Sequence, residues 1–449
     1  MRERTYVLTV ALVAAFGGLL FGYDTGVMAG ALLFLSPEMG MTAYQEGLVT
    51  SALLAGAAIG AVGSGPVAAR LGRRRTLILG GAIFVGASLA CAAATSVLTM
   101  TAARAVLGLA VGAVSIVVPM YISEMAPARV RGRLVSLNTL MIVVGQLSAY
   151  MVNSAVASTG NWRLMLGLAA VPGLILAIGM FFLPDTPAWY ASKGLIDAAE
   201  RTAARVGLRL TDIGTGSSDS RDARAQWRVL REHRWIAAAV GVAVAVGVIQ
   251  QITGVNAVVY FAPTMMNSVG IAVESSVHTS LVIGVVSVIS CYIGLRIVDR
   301  VGRKRLLTLG LLGNIGSLVA LAVAYSFAAQ HTAAAWIALV MMALFMVSQQ
   351  AAVSLTTWLL ISELVPMRVR GLGMGLAGLA LWLANWAVAQ FFLPLVEAVS
   401  GQGAFLLFAG LGVVALIFVR YRVPETTGRD LSEVEAIFQG RFGSDTAVR

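Results

Sequence analysis

The sequence predicts an all-α polytopic membrane protein with twelve transmembrane helices in two six-helix parallel repeats. Three observations lead to this prediction: a shortage of charge, recurring apolar runs, and short motifs that occur twice. Of the 449 residues, 58% are hydrophobic and only 12% are charged, whereas a soluble globular chain carries about 25% charged residues. This composition argues against a soluble enzyme.

The apolar runs place the helices, because each is long enough to cross a hydrocarbon core of roughly 30 Å. The first run exceeds the roughly 7 to 15 residues of a cleavable signal, so it is expected to remain as a span. The predicted spans are 6–35, 47–69, 76–96, 98–122, 133–157 and 163–183, followed by 235–268, 275–298, 306–328, 333–361, 371–398 and 403–421. The predicted domains are an N-terminal bundle (1–183), a cytoplasmic linker of short helices (184–234), a C-terminal bundle (235–423) and a cytoplasmic tail (424–449).

The positions of the cations predict the topology. Of the 32 Lys and Arg residues, 30 lie in the termini and in the loops of one side if the spans alternate. The positive-inside rule assigns this side to the cytoplasm, with both termini. The net charge of +11 is thereby a topological signal and predicts no nucleic-acid partner. The two exceptions are Arg163, at the outer end of the sixth span, and Arg104, inside the fourth.

Two motifs recur in the two halves of the chain. Residues 122–132 read ISEMAPARVRG and 361–371 read ISELVPMRVRG, while 70–75 read RLGRRR and 300–305 read RVGRKR. Each pair occupies the same place in its half, which indicates duplication. An even number of spans per half gives both copies the same orientation, and substrate sites in such proteins lie at the midplane.

Asp24 is the one acid deep in a predicted span. A charge there costs at least ~2.5 kcal/mol on insertion scales, and such residues usually mark a transport or proton path. At 1.5 Å per residue, Asp24 and Arg104 lie about 16 Å and 9 Å below the outer surface, within mutual side-chain reach. Burial favours the protonated acid and a nearby guanidinium favours the carboxylate, so their relative movement would switch proton binding. A purely structural ion pair is the alternative.

Polar and aromatic groups in the second half predict a substrate site. Gln250, Gln251, Thr253, Asn256 and Tyr260 share one span, and amides both donate and accept, which suits neutral hydroxylated ligands. Hydrogen bonds that join the helices are the alternative. Trp358, Trp382, Asn385 and Trp386 follow in later spans, where interfacial anchoring of the tryptophans is the alternative.

Charged residues at the cytoplasmic ends of the helices predict a latch that stabilises one conformation. Glu124 with the arginines at 129 and 131, and Glu363 with those at 368 and 370, place opposite charges at helix ends beside the arginine clusters of each half. Ion pairs within or between the domains are expected there; solvated anchors are the alternative. The candidate latch residues are Arg73, Glu124, Arg131, Asp299, Arg303, Glu363 and Arg370.

Six segments resemble the sugar porter family of the major facilitator superfamily. They are 17–30 (GGLLFGYDTGVMAG), 119–132 (PMYISEMAPARVRG), 184–190 (PDTPAWY), 250–263 (QQITGVNAVVYFAP), 299–305 (DRVGRKR) and 424–428 (PETTG). The resemblance implies the twelve-helix major facilitator fold and a rocker-switch cycle.

Residue by residue, the resemblance implies that Asp24 is the proton-coupling acid and Arg104 its partner. It also implies sugar contacts from Gln250, Gln251, Asn256, Trp358 and Asn385, to which the candidate substrate-binding set adds Thr139 and Tyr260. Thr139, Ser354 and Leu381 depart from the family pattern, in which Gln, Gly before Pro, and Gln are usual. The family's common sugars are therefore not assumed.

Together these observations predict a proton-coupled symporter that imports a sugar or polyol, with a uniporter or an exporter of another small metabolite as the alternative. We expect no enzymatic activity, because no HExxH, GxSxG or phosphate loop is present. We expect no cofactor and no metal, with the proton gradient as driving force. The expected partners are the sugar or polyol, protons and the lipid bilayer. The expected form is a monomer in a bacterial inner membrane.

Overall fold

The computed structural model describes residues 2–208, 223–328, 331–429 and 431–443, and these ranges contain helices and no strand. The α-helices are α1 (Arg2–Met39), α2 (Ala43–Leu71), α3 (Arg73–Ala92), α4 (Val97–Met125), α5 (Ala128–Val156), α6 (Trp162–Gly167), α7 (Ala170–Phe181), α8 (Pro187–Ser192), α9 (Ile196–Arg205), α10 (Ala223–Glu232), α11 (Arg234–Ile252), α12 (Val255–Ser268), α13 (Val273–Val301), α14 (Arg303–Ala328), α15 (Thr332–Ser348), α16 (Ser354–Leu364), α17 (Arg370–Arg422) and α18 (Leu431–Phe442). Short 3₁₀ turns lie at Ala157–Thr159 and Met367–Val369, and a π-helical turn lies at Gln349–Val353.

Eleven helical segments of the described chain are long and apolar enough to cross a membrane. The last of them, Met367–Arg422, has 56 residues, about 84 Å at 1.5 Å per residue and far more than one bilayer requires. Ser400 breaks it, because this residue has φ 64° and ψ 164°. The segment therefore supplies two spans, and the predicted all-α polytopic membrane fold with twelve spans is confirmed.

The chain packs as two compact units. The first comprises 1–215, 259–267 and 272–288, and the second comprises 216–258, 268–271 and 289–449. The domain boundaries expected from the sequence stay a prediction. Of the predicted linker and tail, residues 209–222, 430 and 444–449 lie outside the described residues.

In the first unit, two helix pairs approach so closely that only glycine fits at their crossing points. A Cβ atom at Gly22 of α1 would lie 1.7 Å from the carbonyl oxygen of Ile142 on α5. A Cβ atom at Gly108 of α4 would lie 2.0 Å from the carbonyl oxygen of Leu53 on α2. Small residues at helix crossings allow such contact in membranes, where lipid supplies no hydrophobic drive for helices to associate. These pairs fix α1 and α4, which carry Asp24 and Arg104.

One end of the first unit carries Arg163, one of the two cations that lie outside the predicted cytoplasmic segments. Its Nη1 donates to Oε1 of Glu38 at 2.7 Å, and the indole nitrogen of Trp162 donates to Oε2 of the same carboxylate at 2.6 Å. The guanidinium also lies over the Trp162 ring, 4.1 Å from its centroid. This cluster ties the end of α1 to the start of α6.

The second unit has an apolar core between α11, α14, α16 and α17. Its fully buried members include Val246, Leu307, Leu360 and Val419. Linker helix α10 is held against this unit by Gln226, whose Oε1 accepts a hydrogen bond from the backbone N–H of Leu372 at 2.8 Å.

Helix α11 ends at Ile252, and α12 starts three residues later. Gly254 lies between them with φ 91°, a left-handed conformation that glycine adopts without steric cost. This break separates Gln250 and Gln251, at the end of one helix, from Asn256, at the start of the next. Discontinuous helices of this kind build substrate sites in many transporters.

Candidate functional site

Asp24 and Arg104 form an ion pair inside the first unit. Nη1 of Arg104 donates to Oδ1 of Asp24 at 2.7 Å, and the two side chains are 0% and 1% exposed, respectively. Nε of Arg104 also donates to the carbonyl oxygen of Val49 at 3.3 Å. The sequence placed these two residues within reach, and the structure brings them together.

This ion pair is only partly satisfied. Oδ2 of Asp24 and Nη2 of Arg104 make no hydrogen bond to any described residue. Burying a carboxylate is costly unless it is paired and hydrogen-bonded. One oxygen of Asp24 thus remains available for a proton, while the other is held by the guanidinium.

Tyr260 also belongs to the first unit. Its buried hydroxyl lies beside Thr25, the residue that follows Asp24, and it is close enough to Asp24 and Arg104 to interact with their charges. The sequence grouped Tyr260 with the amides of the second half, whereas the structure places it near the ion pair. Thr139, the other first-unit candidate for substrate binding, is half-buried on α5.

The second unit brings three of the predicted amides into contact. Nδ2 of Asn256 donates to Oε1 of Gln251 at 2.6 Å and to Oδ1 of Asn385 at 2.7 Å. Gln250 is buried, and its Oε1 accepts no hydrogen bond from any described residue. The cluster therefore combines a fixed amide triad with an unpaired buried acceptor, an arrangement suited to a ligand that carries hydroxyl donors.

The remaining second-unit candidates differ in exposure. Trp358 is 44% exposed, whereas Trp382 and Leu381 are buried and Trp386 is half-buried. Ser354 stands at the start of α16, and its hydroxyl receives a hydrogen bond from Nε2 of Gln349 at 3.4 Å.

Two polar residues of this region were missed by the sequence analysis. Gln349 accepts a hydrogen bond from Asn314 on α14, at 2.5 Å, and donates to the carbonyl oxygen of Gln250 at 3.4 Å. Both are buried amides in apolar spans, and that property was the signal available in the sequence.

The first copy of the repeated charged motif is centred on Glu124. Nη2 of Arg73 donates to its Oε1 at 2.8 Å, and the hydroxyl of Thr186 donates to its Oε2. Arg131 instead bonds the carbonyl oxygen of Ala126 at 3.4 Å. Among the candidate latch residues, Glu124 thus pairs with Arg73 at the start of α3, and Arg131 binds backbone.

The second copy is centred on Glu363. Nε of Arg303 donates to its Oε1 at 3.3 Å, and the hydroxyl of Thr426 donates to its Oε2 at 2.5 Å. Arg303 has a second ion pair with Asp299 at 2.9 Å, where the first copy has Ala69. Arg370 contacts the carbonyl oxygen of Ser362 at 3.5 Å, so Arg303 is the latch arginine that pairs with Glu363.

In each copy of the motif, an acid caps the N-terminus of a helix; Asp185 is buried and Glu425 is half-buried. Asp185 accepts hydrogen bonds from the backbone N–H groups of Arg73 and Arg74, at 3.0 and 3.3 Å. Glu425 accepts from those of Arg303, at 2.8 Å, and Lys304, at 3.3 Å. Carboxylates stabilise helix N-termini, where unpaired N–H groups point outward.

The two capping acids titrate differently. Burial raises the pKa of Asp185, and the backbone N–H groups of Thr186, Arg73 and Arg74 oppose that shift only in part. Partial burial also acts on Glu425, but hydrogen bonds from Thr427 and from the start of α14 hold its pKa below the usual value. At neutral pH the cap of α14 is thus the more firmly ionised of the two.

The described ranges contain no candidate metal site, because no group of three or more His, Cys, Asp or Glu side chains there could hold an ion. Cys91 and Cys291 are free and buried. The expected absence of a cofactor stays a prediction.

Comparison with known proteins places this geometry in context. The family model described as "Sugar (and other) transporter" matches residues 10–438. The chain is 36% identical over 452 residues to the major myo-inositol transporter IolT of Bacillus subtilis, covering 97% of this chain and 95% of that protein. It is 35% identical over 442 residues to the galactose-proton symporter of Escherichia coli, covering 96% and 94%.

Solved structures agree with the sequence relatives. The structure of XylE, a proton:xylose symporter of the major facilitator superfamily bound to 6-bromo-6-deoxy-D-glucose, superimposes with a TM-score of 0.77 at 27% identity. The match covers 97% of this chain and all of that one.

Proposed function

Because the chain belongs to the sugar transporter family of the major facilitator superfamily, we propose that it is a proton-coupled symporter that imports a sugar or polyol by alternating access. The family and the matched relatives are transporters. Relatives named for myo-inositol and for galactose with protons support both the substrate class and the coupling.

The observation that carries the coupling is the buried pair of Asp24 and Arg104. A carboxylate with one oxygen on a guanidinium and one oxygen unpaired can take a proton without first losing all its contacts. Protonation removes the negative charge that holds Arg104, which stays charged throughout. In the proposed cycle, Asp24 is protonated from outside, the substrate binds, the helices rearrange, and the proton leaves to the cytoplasm.

The substrate class is supported by the amides of the second unit. Gln251, Asn256 and Asn385 hold one another, and Gln250 keeps an unpaired acceptor. Such a neutral set binds hydroxyl groups without imposing a charge requirement. Trp358 and Thr139 are further members of the proposed substrate set, and so is Tyr260, which lies beside Thr25.

The cytoplasmic ion pairs are proposed as the conformational latch. The proposed members are Arg73 with Glu124 in the first copy and Arg303 with Glu363 and Asp299 in the second. Arg131 and Arg370 are proposed to act through their backbone contacts at the adjacent helix ends. Alternating access requires such contacts to form and break between states.

The setting of the protein is also proposed. We assign it to the bacterial inner membrane with both termini in the cytoplasm, because 30 of its 32 cations lie on one predicted side. The chain is proposed to work as a monomer in the bilayer, with no catalytic activity and no cofactor, driven by the proton gradient.

The test separates coupling from transport. In proteoliposomes with an alkaline interior, the wild-type protein should accumulate its substrate above the external concentration. Asp24→Asn should abolish accumulation and retain exchange of labelled for unlabelled substrate, because the binding amides are untouched. Asp197→Asn, a matched change at an exposed acid of α9, should accumulate normally. Normal accumulation by Asp24→Asn would remove Asp24 from the coupling mechanism, and equilibration without accumulation by the wild type would make the protein a uniporter.

A further inference from the structure

A five-residue π-helical turn, Gln349–Val353, lies between α15 and α16 in the middle of one membrane span. Single π-helical turns inside α-helices occur frequently at functional sites. Gln349 opens this turn and is completely buried. A buried amide in a membrane span is costly unless its hydrogen bonds are satisfied, so the partners of Gln349 determine what this residue does.

The partners of Gln349 fix the direction in which its amide faces. Nδ2 of Asn314 donates to Oε1 of Gln349 at 2.5 Å. Nε2 of Gln349 then donates, at 3.4 Å in each case, to the carbonyl oxygen of Gln250 and to the hydroxyl of Ser354. An amide nitrogen only donates and an amide oxygen only accepts. Rotating Gln349 would turn its Oε1 toward the carbonyl oxygen of Gln250, which can only accept, so that carbonyl fixes the orientation of Gln349. Asn314 matches this orientation and holds the other end of the amide.

This orientation acts on the end of α11. The main-chain oxygen of Gln250 belongs to the last turn of that helix, immediately before the break at Gly254. The same turn carries Gln251, which accepts from Asn256, and the unpaired Oε1 of Gln250. The contact from Gln349 therefore holds the backbone from which the proposed sugar-binding amides extend.

We propose that Asn314 and Gln349 are positioning residues for substrate selectivity. Asn314 holds Gln349 in place by its hydrogen bond to Oε1, and Gln349 fixes the last turn of α11 so that Gln250 meets one particular hydroxyl of a neutral polyhydroxylated ligand. This inference rests on the proposed sugar or polyol transport. A site built to bond a hydroxyl rejects analogues that lack it, because its buried polar group is then left unpaired. If the last turn of α11 is held less firmly, the protein should discriminate less between the parent ligand and analogues that lack this hydroxyl. Binding of the analogues themselves should change little.

The experiment measures dissociation constants by tryptophan fluorescence or isothermal calorimetry in detergent. The probes are D-galactose, D-glucose, D-xylose and myo-inositol, followed by the mono-deoxy analogues of the one that binds best. Gln250→Leu first identifies the hydroxyl that Gln250 binds. Removing that hydroxyl from the ligand weakens binding to the wild type but not to Gln250→Leu. Asn314→Leu should then weaken binding of the parent compound about 5- to 10-fold and leave binding of that deoxy analogue unchanged.

Three controls make the outcomes decisive. Ser317→Ala, at a buried serine one turn along α14, should bind all probes as the wild type does. The pair Asn314→Gln with Gln349→Asn keeps one donor and one acceptor and should restore most of the discrimination. Thermal unfolding checks that each variant is folded, and Asn314→Ser replaces Asn314→Leu if the latter is not.

The results separate this proposal from the function on which it rests. Equal weakening of the parent and every deoxy analogue, or wild-type constants for all of them, would overturn the positioning role while leaving sugar binding intact. Failure of the wild-type protein to bind any of the probes would overturn the proposed substrate class, and the positioning role with it.

Discussion

The crossing of α2 and α4 gives a prediction whose size follows from the coordinates. In Gly108→Ala, the new Cβ would lie 2.0 Å from the carbonyl oxygen of Leu53, whereas ordinary contact begins near 3.4 Å. The helices would have to separate by roughly 1.4 Å, the difference between these two distances. Nε of Arg104 is already 3.3 Å from the carbonyl oxygen of Val49, so a shift of that size would break this hydrogen bond.

The expected cost combines two effects. Overpacking of a close contact costs about 1–3 kcal/mol, and the lost hydrogen bond adds about 1 kcal/mol. The assay is thermal unfolding in detergent, together with substrate accumulation in proteoliposomes. Gly108→Ala should unfold at a clearly lower temperature than the wild type and should accumulate less substrate, because Arg104 no longer holds its place.

The matched control is Gly86→Ala. Gly86 lies inside α3, and its added Cβ would meet nothing within 4 Å. Since alanine is the better helix former by up to about 1 kcal/mol, this variant should be as stable as the wild type or slightly more so. Gly108→Ala with the same melting temperature as Gly86→Ala would refute the close approach of α2 and α4.

Three further predictions concern charges. Arg104→Leu should destabilise the protein by about 3–5 kcal/mol, the usual cost of leaving a buried charge unpaired. Adding Asp24→Asn should recover most of that loss, as measured by thermal unfolding. Equal stability of the single and double variants would contradict this prediction. Glu425→Gln should make the stability of the protein less dependent on pH in the acid range. The folded-state pKa of Glu425 is lowered, so its carboxylate stabilises the fold at pH values above the unfolded-state pKa near 4.3. This stabilisation is lost as the pH falls through the folded-state pKa. The gap in melting temperature between wild type and Glu425→Gln should therefore narrow as pH falls below about 4, and a gap that stays constant would count against the cap. Arg303→Gln should lower the melting temperature more than Arg73→Gln does, because it removes two ion pairs instead of one. The reverse order would contradict a stabilising contribution from the additional ion pair with Asp299.

The spans and the ion pair were the most predictable features of this protein. Apolar runs follow directly from the bilayer thickness, and even the break in α17 was expected, since the two last predicted spans ended at 398 and began at 403, on either side of Ser400. Asp24 and Arg104 were identifiable because charges deep in spans are rare. Their positions along their helices alone placed them at similar depths in the membrane.

The contacts that depend on helix rotation were not predictable in the same way. Gln349 and Asn314 meet across 35 residues. Each was visible in the sequence as an amide in an apolar span, but no local pattern showed that the two face each other. The π-helical turn that presents Gln349 adds one residue to a turn and shifts the helix face, which a regular period cannot anticipate.

The sequence named Glu124 and Arg73 as members of one latch, but it did not show that they pair with each other. The arginines nearest in sequence to Glu124 are at 129 and 131, but the helix ends between them and the chain direction changes at Pro127. Arg73 arrives from α3, because Asp185 caps the start of that helix beside Glu124. The pairing thus depends on three segments that are distant in the sequence.

The most direct test of the central claim is whether substrate movement carries protons. Purified protein is reconstituted into liposomes that contain a pH-sensitive dye, with no initial pH gradient, and the best-binding sugar or polyol is added outside. Proton-coupled transport predicts acidification of the interior that depends on the substrate, is absent with Asp24→Asn, and persists with Asp197→Asn. Uptake of labelled substrate without any change in internal pH would contradict proton coupling and leave a facilitator in its place.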